Sequence, residues 1–234
     1  LAAFNEKFGA QIKPVGCAGL SLGEYGAFYA AGYFTFADGL KLVAKRAELM
    51  DAACRETAGG MACVLNGDPE IIRQVCAECG IDVANFNCPG QIVISGVKDG
   101  VEKAVNALKE KGVRKLIPLN VAGAYHSRLM KSAGDKLKSV LDGVAVKPLC
   151  VPVAQNYTGE IVKNESDIKG NLVKQVAGSV RWEECVRALS GLGADTFIEF
   201  GPGTVLTGLV KKTDATKALF NVSSAADLAK IPVA

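Results

Sequence analysis

The spacing of apolar residues divides the chain into stretches of helical and of strand character. The opening "LAAFNEKFGAQ" reads as the interior of a helix. "KPVGCAG" is a short apolar run ending in glycine and predicts a buried strand, and "LGEYGAFYAAGYF" follows with helical spacing. In "TFADGLKLVAKRAELMDAACRET" Thr35 is placed to cap a helix, with Leu40, Val43, Ala47 and Met50 recurring along it. The rhythm changes near Gly59. "GGMACVLNG" predicts a strand, and "DPEIIRQVCAEC" a helix opened by Asp68 with Pro69 in its first turn. "IDVANFN" and "QIVISGV" predict two strands joined by a turn at Cys88-Pro89-Gly90. "DGVEKAVNALKEKG" predicts an amphipathic helix stopped by Gly112, and "VRKLIPLNVA" a last strand. Beyond it, "SRLMKSAGDKLKSVLDGV" reads as a helix and "PLCVPVAQNYTGE" as a strand and turn. "IKGNLVKQVAGSVRWEECVRALSGLG" reads as helix, break and helix, and "DTFIEFGPGTVLTGLVKKT" as strand, turn and helix.

The middle of the chain thus has the order βαββαβ, a ferredoxin-like unit. The outer parts alternate strands and helices, as a parallel sheet with helical crossovers does. The expected organisation is an α/β core over residues 1–57 and 124–234, with an inserted subdomain over residues 58–123. At 234 residues and 49% apolar, the chain can bury a sizeable core. A net charge of +3 without an arginine-rich run gives no reason to expect nucleic acid, and no apolar stretch reaches membrane-spanning length. The chain does not begin with Met, and its native N-terminus is expected to be missing. The eight cysteines are scattered through apolar segments, which fits reduced, buried thiols in a cytoplasmic protein. Cys76 and Cys79 form one C-x-x-C, but no second pair accompanies it, so no metal site is expected.

The candidate chemistry lies in "VGCAGLSLGEYGAFYAAG", where Gly19-Leu20-Ser21-Leu22-Gly23 reads G-x-S-x-G. Between a strand and a helix this is the pattern of a nucleophile elbow. A serine hydroxyl needs a base to act as a nucleophile, and His126 is the only histidine in the chain. His126 follows a predicted strand in "NVAGAYHSRLM", at the point where the insert returns to the core. If Ser21 reacts through a histidine, these two distant segments must meet. Asn87 and Asn156 sit near predicted turns and could line the cleft. Lys211 and Lys212 end the last strong helix, where positive charge suits the helix dipole and could face an acidic partner.

Four blocks, "GLSLGEYGAFYAAGYFTFADGLKLVAKRAELM", "NFNCPGQIVISG", "AGAYHSRLM" and "IEFGPGTVLTGLVKK", resemble the malonyl-CoA:acyl carrier protein transacylase family of fatty acid synthesis. The resemblance is collinear over nearly the whole chain. It implies an α/β-hydrolase-like core with a ferredoxin-like insert and transfer of malonyl from CoA to the phosphopantetheine thiol of acyl carrier protein. On this resemblance Ser21 matches the nucleophile and His126 the base. Arg46 matches the arginine that holds the malonyl carboxylate, and Gln175 the glutamine whose backbone carbonyl steadies the histidine. The backbone N–H of Leu22 matches half of the oxyanion hole, and Tyr125 matches a bulky position that favours malonyl over branched extenders. No metal or redox cofactor is implied, and the compartment is the cytoplasm, or the plastid or mitochondrial matrix in a eukaryote. Two departures stand out. Leu20 occupies a position where the family carries a histidine. The family's opening strand and glycine/glutamine-rich loop, source of the second oxyanion N–H, find no counterpart before the elbow. The alternatives are a serine esterase or thioesterase, and an inactive fragment that only binds carrier protein.

Overall fold

A computed structural model describes residues 1–9 and 11–232. The chain opens with α1 (Ala2–Phe8), passes through the Ser21 turn, and continues as α2 (Gly23–Ala30) and α3 (Phe36–Glu56). The middle comprises β1 (Gly59–Leu65), α4 (Pro69–Glu78), β2 (Asp82–Cys88), β3 (Gln91–Val97), α5 (Lys98–Glu110) and β4 (Lys115–Leu119). Then follow α6 (Lys131–Asp142), α7 (Ile168–Ala177), β5 (Val180–Arg181), α8 (Trp182–Gly191), β6 (Thr196–Phe200), α9 (Val205–Thr213) and β7 (Ala218–Val222).

The middle segment folds as its periodicity predicts. Its strands lie in the spatial order β4-β1-β3-β2, all neighbours antiparallel. Asp68 caps α4 by accepting from the N–H groups of Glu70 and Ile71, and Pro69 begins the helix. One face of the sheet is closed by α4 and α5 around Ile72, Val75, Ile94, Ala104 and Leu108. The sheet does not stop at the insert, however. β5 of the following segment pairs in parallel with β2, through Asn85–Val180 and Phe86–Arg181, so five strands run across the proposed boundary.

The outer parts pair in parallel, as expected, but only over short stretches. Among the described residues, their regular pairing is the parallel ladder β6–β7. Among the described residues, the strand pairing between "KPVGCAG" and "PLCVPVAQNYTGE" is a single parallel bridge, Cys17 with Val153. There Cys17 donates its N–H to Pro152 O at 2.8 Å, and Ala154 donates to Cys17 O at 2.9 Å. Pro14, Pro148 and Pro152 have no N–H to extend a ladder. β7 has no counterpart in the sequence reading.

The buried face of α3 is also rotated from the one expected. Leu40 is 59% exposed and Ala47 is exposed as well, whereas Gly39, Leu42, Arg46, Met50 and Ala53 face inward. An arginine on the core side hides that face from a search for apolar spacing. α3 packs with α2, α6 and α7 around Phe28, Leu42, Met50, Leu137 and Leu172.

Candidate active site

The turn before α2 brings Ser21 out of the regular backbone. Ser21 has φ +51°, a left-handed conformation that costs a side-chain-bearing residue free energy and is kept where the surroundings enforce it. Gly19 makes the turn possible, because a Cβ there would lie 2.0 Å from Gly23 O. Asn156 fixes the turn from the other side. Its Oδ1 accepts from the Ser21 N–H at 2.6 Å, and its Nδ2 donates to Gly19 O at 2.9 Å. The N–H of Leu22 lies at the start of α2, where the helix dipole favours negative charge.

His126 is also left-handed, at φ +57°. It sits in the loop after β4, which packs too closely on its neighbours to admit extra atoms. A Cβ on Gly123 would lie 2.3 Å from Cys54 Sγ, and one on Gly59 would lie 2.4 Å from Ala124 N. Buried Ser127 donates to Ala124 O at 2.7 Å and closes the loop behind the histidine. The elbow and the histidine do meet: Ser21 Oγ lies 2.7 Å from His126 Nε2. On the other side of the ring, His126 Nδ1 lies 2.8 Å from Gln175 O. A carbonyl only accepts, so the neutral ring carries its proton on Nδ1 and presents the Nε2 lone pair to the serine hydroxyl. Gln175 is in the last turn of α7, where carbonyls lack helical partners and the dipole is negative. Burial pushes the His126 imidazolium pKa down to about 4, with the Gln175 carbonyl opposing that shift and Arg46 adding to it. The ring is therefore a neutral base at physiological pH.

Arg46 is buried, 5% exposed, and reaches the same centre from α3. Its Nη2 donates to Ser21 Oγ at 3.0 Å and to Gln175 Oε1 at 3.1 Å. The guanidinium therefore contacts the nucleophile itself. Its carbon lies 5.6 Å from the centroid of the Tyr25 ring. No carboxylate forms an ion pair with it among the described residues, and its Nε is buried without a partner. A desolvated guanidinium with a free donor is costly, and a planar anion would satisfy it. Tyr125, half-buried, packs against both the main core and the cluster on the outer face of β1 and β3.

Two residues outside the expected site complete it. The side chain of Gln175, fully buried, donates to Ser21 O at 2.9 Å and to Glu24 Oε2 at 2.6 Å. Glu24, on the first turn of α2, is 1% exposed, and its Oε1 accepts from Asn156 N at 3.2 Å. Burial raises the Glu24 carboxyl pKa to about 7, against the lowering effect of its hydrogen bonds and of Arg46. Glu24 and Asn156 gave only a faint signal in the sequence: a charged residue in an otherwise apolar helix, and an asparagine beside a turn. Asn87 takes no part in this network; its Oδ1 is buried on β2 without a partner. Lys212 lies near Gln91, 3.4 Å from its Oε1. Cys76 and Cys79 are free thiols, and no cluster of three or more metal-ligating side chains occurs among the described residues. No described helix is long and apolar enough to cross a membrane.

Comparison with known proteins converges on one group. Residues 2–231 match the acyl transferase domain family model. The malonyl CoA-acyl carrier protein transacylase of Bacillus subtilis is 46% identical over 218 residues, covering 91% of this chain and 69% of that protein. The crystal structure of the malonyl-CoA:acyl carrier protein transacylase of Xanthomonas oryzae superposes with a TM-score of 0.92 at 37% identity, covering 98% of this chain and 74% of the other. A malonyl-transacylase in complex with its type II polyketide acyl-carrier protein gives the same TM-score and identity, covering 98% and 75%.

Proposed function

The chain belongs to the acyl transferase domain family, and from that premise we propose that it carries malonyl from CoA to the phosphopantetheine thiol of acyl carrier protein through a malonyl-serine. The observation that carries this reading is the unpaired, buried Arg46 guanidinium 3.0 Å from Ser21 Oγ. A hydrolase of simple esters has no use for a desolvated cation beside its nucleophile, whereas a malonyl thioester brings a carboxylate that a guanidinium fork binds in bidentate fashion.

In the first half-reaction Ser21 Oγ attacks the thioester carbonyl as its proton passes to His126 Nε2. The C–S bond then breaks, and CoA leaves with the proton from the imidazolium. The Gln175 carbonyl, at the negative end of α7, stabilises the imidazolium and fills the place a triad carboxylate occupies elsewhere. The Leu22 N–H, at the start of α2, is one donor to the developing oxyanion. In the second half-reaction His126 deprotonates the carrier thiol, which takes the malonyl group and frees Ser21. Substrates and residues supply every step, and no cofactor is invoked. Tyr125, next to His126 in sequence, crowds the malonyl α-carbon and disfavours a methyl there. Such a methyl is worth about 1–3 kcal/mol in a tight pocket; equal rates with malonyl and methylmalonyl thioesters would remove that role.

The organisation that fits this chemistry is an α/β-hydrolase-like core over residues 1–57 and 124–234 with a ferredoxin-like insert over residues 58–123. The strand order β4-β1-β3-β2 supports the insert, and the elbow followed by α2 supports the core. The test is intact mass after mixing with malonyl-CoA, followed by peptide mapping. The expected result is a stable malonyl adduct on the peptide containing Ser21. Turnover to free malonate without an adduct would favour a thioesterase, and an adduct on a cysteine such as Cys17 would refute the serine.

A further inference from the structure

The polar network under the elbow has one member whose side chain touches neither the nucleophile nor the base, yet holds the groups that hold both. Glu24 is a side chain from the first turn of α2, and it lies between Gln175 and Asn156. Gln175 Nε2 donates to Glu24 Oε2 at 2.6 Å, and Asn156 N donates to Glu24 Oε1 at 3.2 Å. Gln175 in turn offers its backbone carbonyl to His126, its Nε2 to Ser21 O, and its Oε1 to Arg46. Asn156 clamps Ser21 N and Gly19 O. Glu24, Gln175 and Asn156 are all essentially inaccessible to solvent, so water cannot replace a lost partner.

We propose that Glu24 is a positioning residue: its two carboxyl oxygens fix the side-chain orientation of Gln175 and the main chain at Asn156, and through them the His126–Ser21 pair. The proposal rests on the transferase reading only for the name of the reaction; the geometry stands apart from it.

The donor–acceptor pattern has one self-consistent solution. Gln175 Oε1 faces the Arg46 guanidinium, which only donates, so its Nε2 must face Glu24. Glu24 therefore meets donors at both oxygens. A glutamine at position 24 could keep one oxygen for Asn156 N, but its amide nitrogen would then oppose Gln175 Nε2, donor against donor. Relief by rotating the Gln175 amide would turn a second donor towards Arg46. Exchanging the two side chains removes the conflict. With glutamine at position 24 and glutamate at position 175, the new amide donates to the new carboxylate, which still accepts from Arg46. Ser21 O keeps the backbone N–H of Glu24, at 3.2 Å. The backbone carbonyl at position 175, the partner of His126, is untouched.

His126 is the sole histidine, so nitrogen NMR of the uniformly labelled full chain reports its ring without ambiguity. The wild-type ring should show a protonated, slowly exchanging Nδ1. In Glu24→Gln that signature should broaden or shift towards a mixture of tautomers. The rate of Ser21 acylation by malonyl-CoA should fall about 10- to 100-fold, the range typical of groups that orient a reacting residue, with KM changed less than about twofold. Glu24→Gln/Gln175→Glu should recover at least a tenfold share of a 100-fold loss and restore the Nδ1 signal. If Glu24→Gln does not fold by near-ultraviolet circular dichroism, Glu24→Asp takes its place. It keeps the acceptors but withdraws them by one methylene, and should show the same imidazole change. A native imidazole signal and full acylation rate in the single variants would overturn the proposal, as would a double variant no better than Glu24→Gln. Failure of the wild type to acylate, with the imidazole responses as described, would instead overturn the transferase reading and leave the positioning role standing.

Discussion

Around Ile94 the interior is hydrocarbon: Val64, Ile72, Val75, Ala104 and Leu108 fill the space between sheet and helices. Around Gln175 it is a lattice of hydrogen bonds joining Ser21, Glu24, Arg46, His126 and Asn156. Both regions exclude water, but they do so to different ends. The insert core gains stability from burial of apolar surface and tolerates approximate complementarity. The elbow region buries a guanidinium, a carboxyl and an imidazole, and keeps two side-chain-bearing residues in left-handed backbone. Such groups cost stability unless every partner is in place, which is how a reactive arrangement is held in a single geometry.

The sharpest way to break the comparison is to remove the chemistry and leave the packing. Ser21→Ala should lower malonyl transfer by at least about 10⁴-fold, as removal of a nucleophile does elsewhere, with little change in melting temperature. A variant that transfers at more than a few per cent of the wild-type rate would show that Ser21 is not the acyl carrier.

Next in size is Arg46→Ala. Removing one partner of a desolvated charge pair costs roughly 2–5 kcal/mol, so kcat/KM for malonyl-CoA should fall by about 30-fold or more. Transfer from acetyl-CoA, which has no carboxylate to satisfy the fork, should change by less than about tenfold, the share attributable to the lost contact with Ser21 Oγ. Arg46→Lys should recover only part of the malonyl rate. Parallel losses with both thioesters would reassign Arg46 to the fold or to the nucleophile alone.

The converse experiment is Leu108→Ala, at a fully buried position in the insert core. It should destabilise by about 2–5 kcal/mol, read by denaturant titration, while the folded fraction acylates at the wild-type rate. A loss of rate per folded molecule would mean that the insert core tunes the site.

The smallest effect concerns pH. His126 has a folded pKa near 4, below its unfolded value near 6.5, so its contribution to stability is lost as pH falls through that interval. Glu24 has a folded pKa near 7, above its unfolded value near 4.5, so its contribution is lost as pH rises through that interval. Between about pH 4.5 and 6.5 the two oppose each other, and their joint contribution should be nearly flat. Glu24→Gln removes one side of the balance. Its stability, relative to wild type, should rise with pH by up to about 1.4 kcal/mol per unit in that window. Parallel pH profiles for the two proteins would show that the carboxyl does not titrate there.

The element order of the middle segment was legible because period and turn chemistry agree along it. Asp68-Pro69 opens α4, Pro89-Gly90 turns β2 into β3, and the apolar positions of α5 face the sheet. The outer strands were less legible, since prolines interrupt the runs at Cys17 and Val153 and leave a single bridge. In α3 the apolar rule selected Met50 and Val43, which face the core, but also the exposed Leu40 and Ala47, because the inward face carries Arg46. The residues proposed for the site were singled out by a different route. Ser21 and His126 stood out by chemical type and scarcity, and Arg46, Gln175, Leu22 and Tyr125 by resemblance. Glu24 escaped, and Asn156 was read only as a residue that could line the cleft, because their roles lie in hydrogen bonds between segments 132 positions apart, which no local pattern encodes.

β5 contains only two residues, yet it touches both regions. On one side Val180 and Arg181 continue the sheet beside β2; on the other the Arg181 N–H donates to Asn156 O at 2.8 Å, the residue that clamps the Ser21 turn. The middle segment is therefore tied to the segment that follows it by backbone pairing. A recombination that replaced residues 58–123 with a foreign unit of the same topology would have to reproduce the β2 backbone that pairs with β5 at Asn85 and Phe86, in register and in direction. A donor that missed by one residue would fold its own hydrophobic core and still leave β5 without its partner strand. Exchange of parts among such proteins is constrained at this seam, where two residues of backbone carry the compatibility between one module and its host.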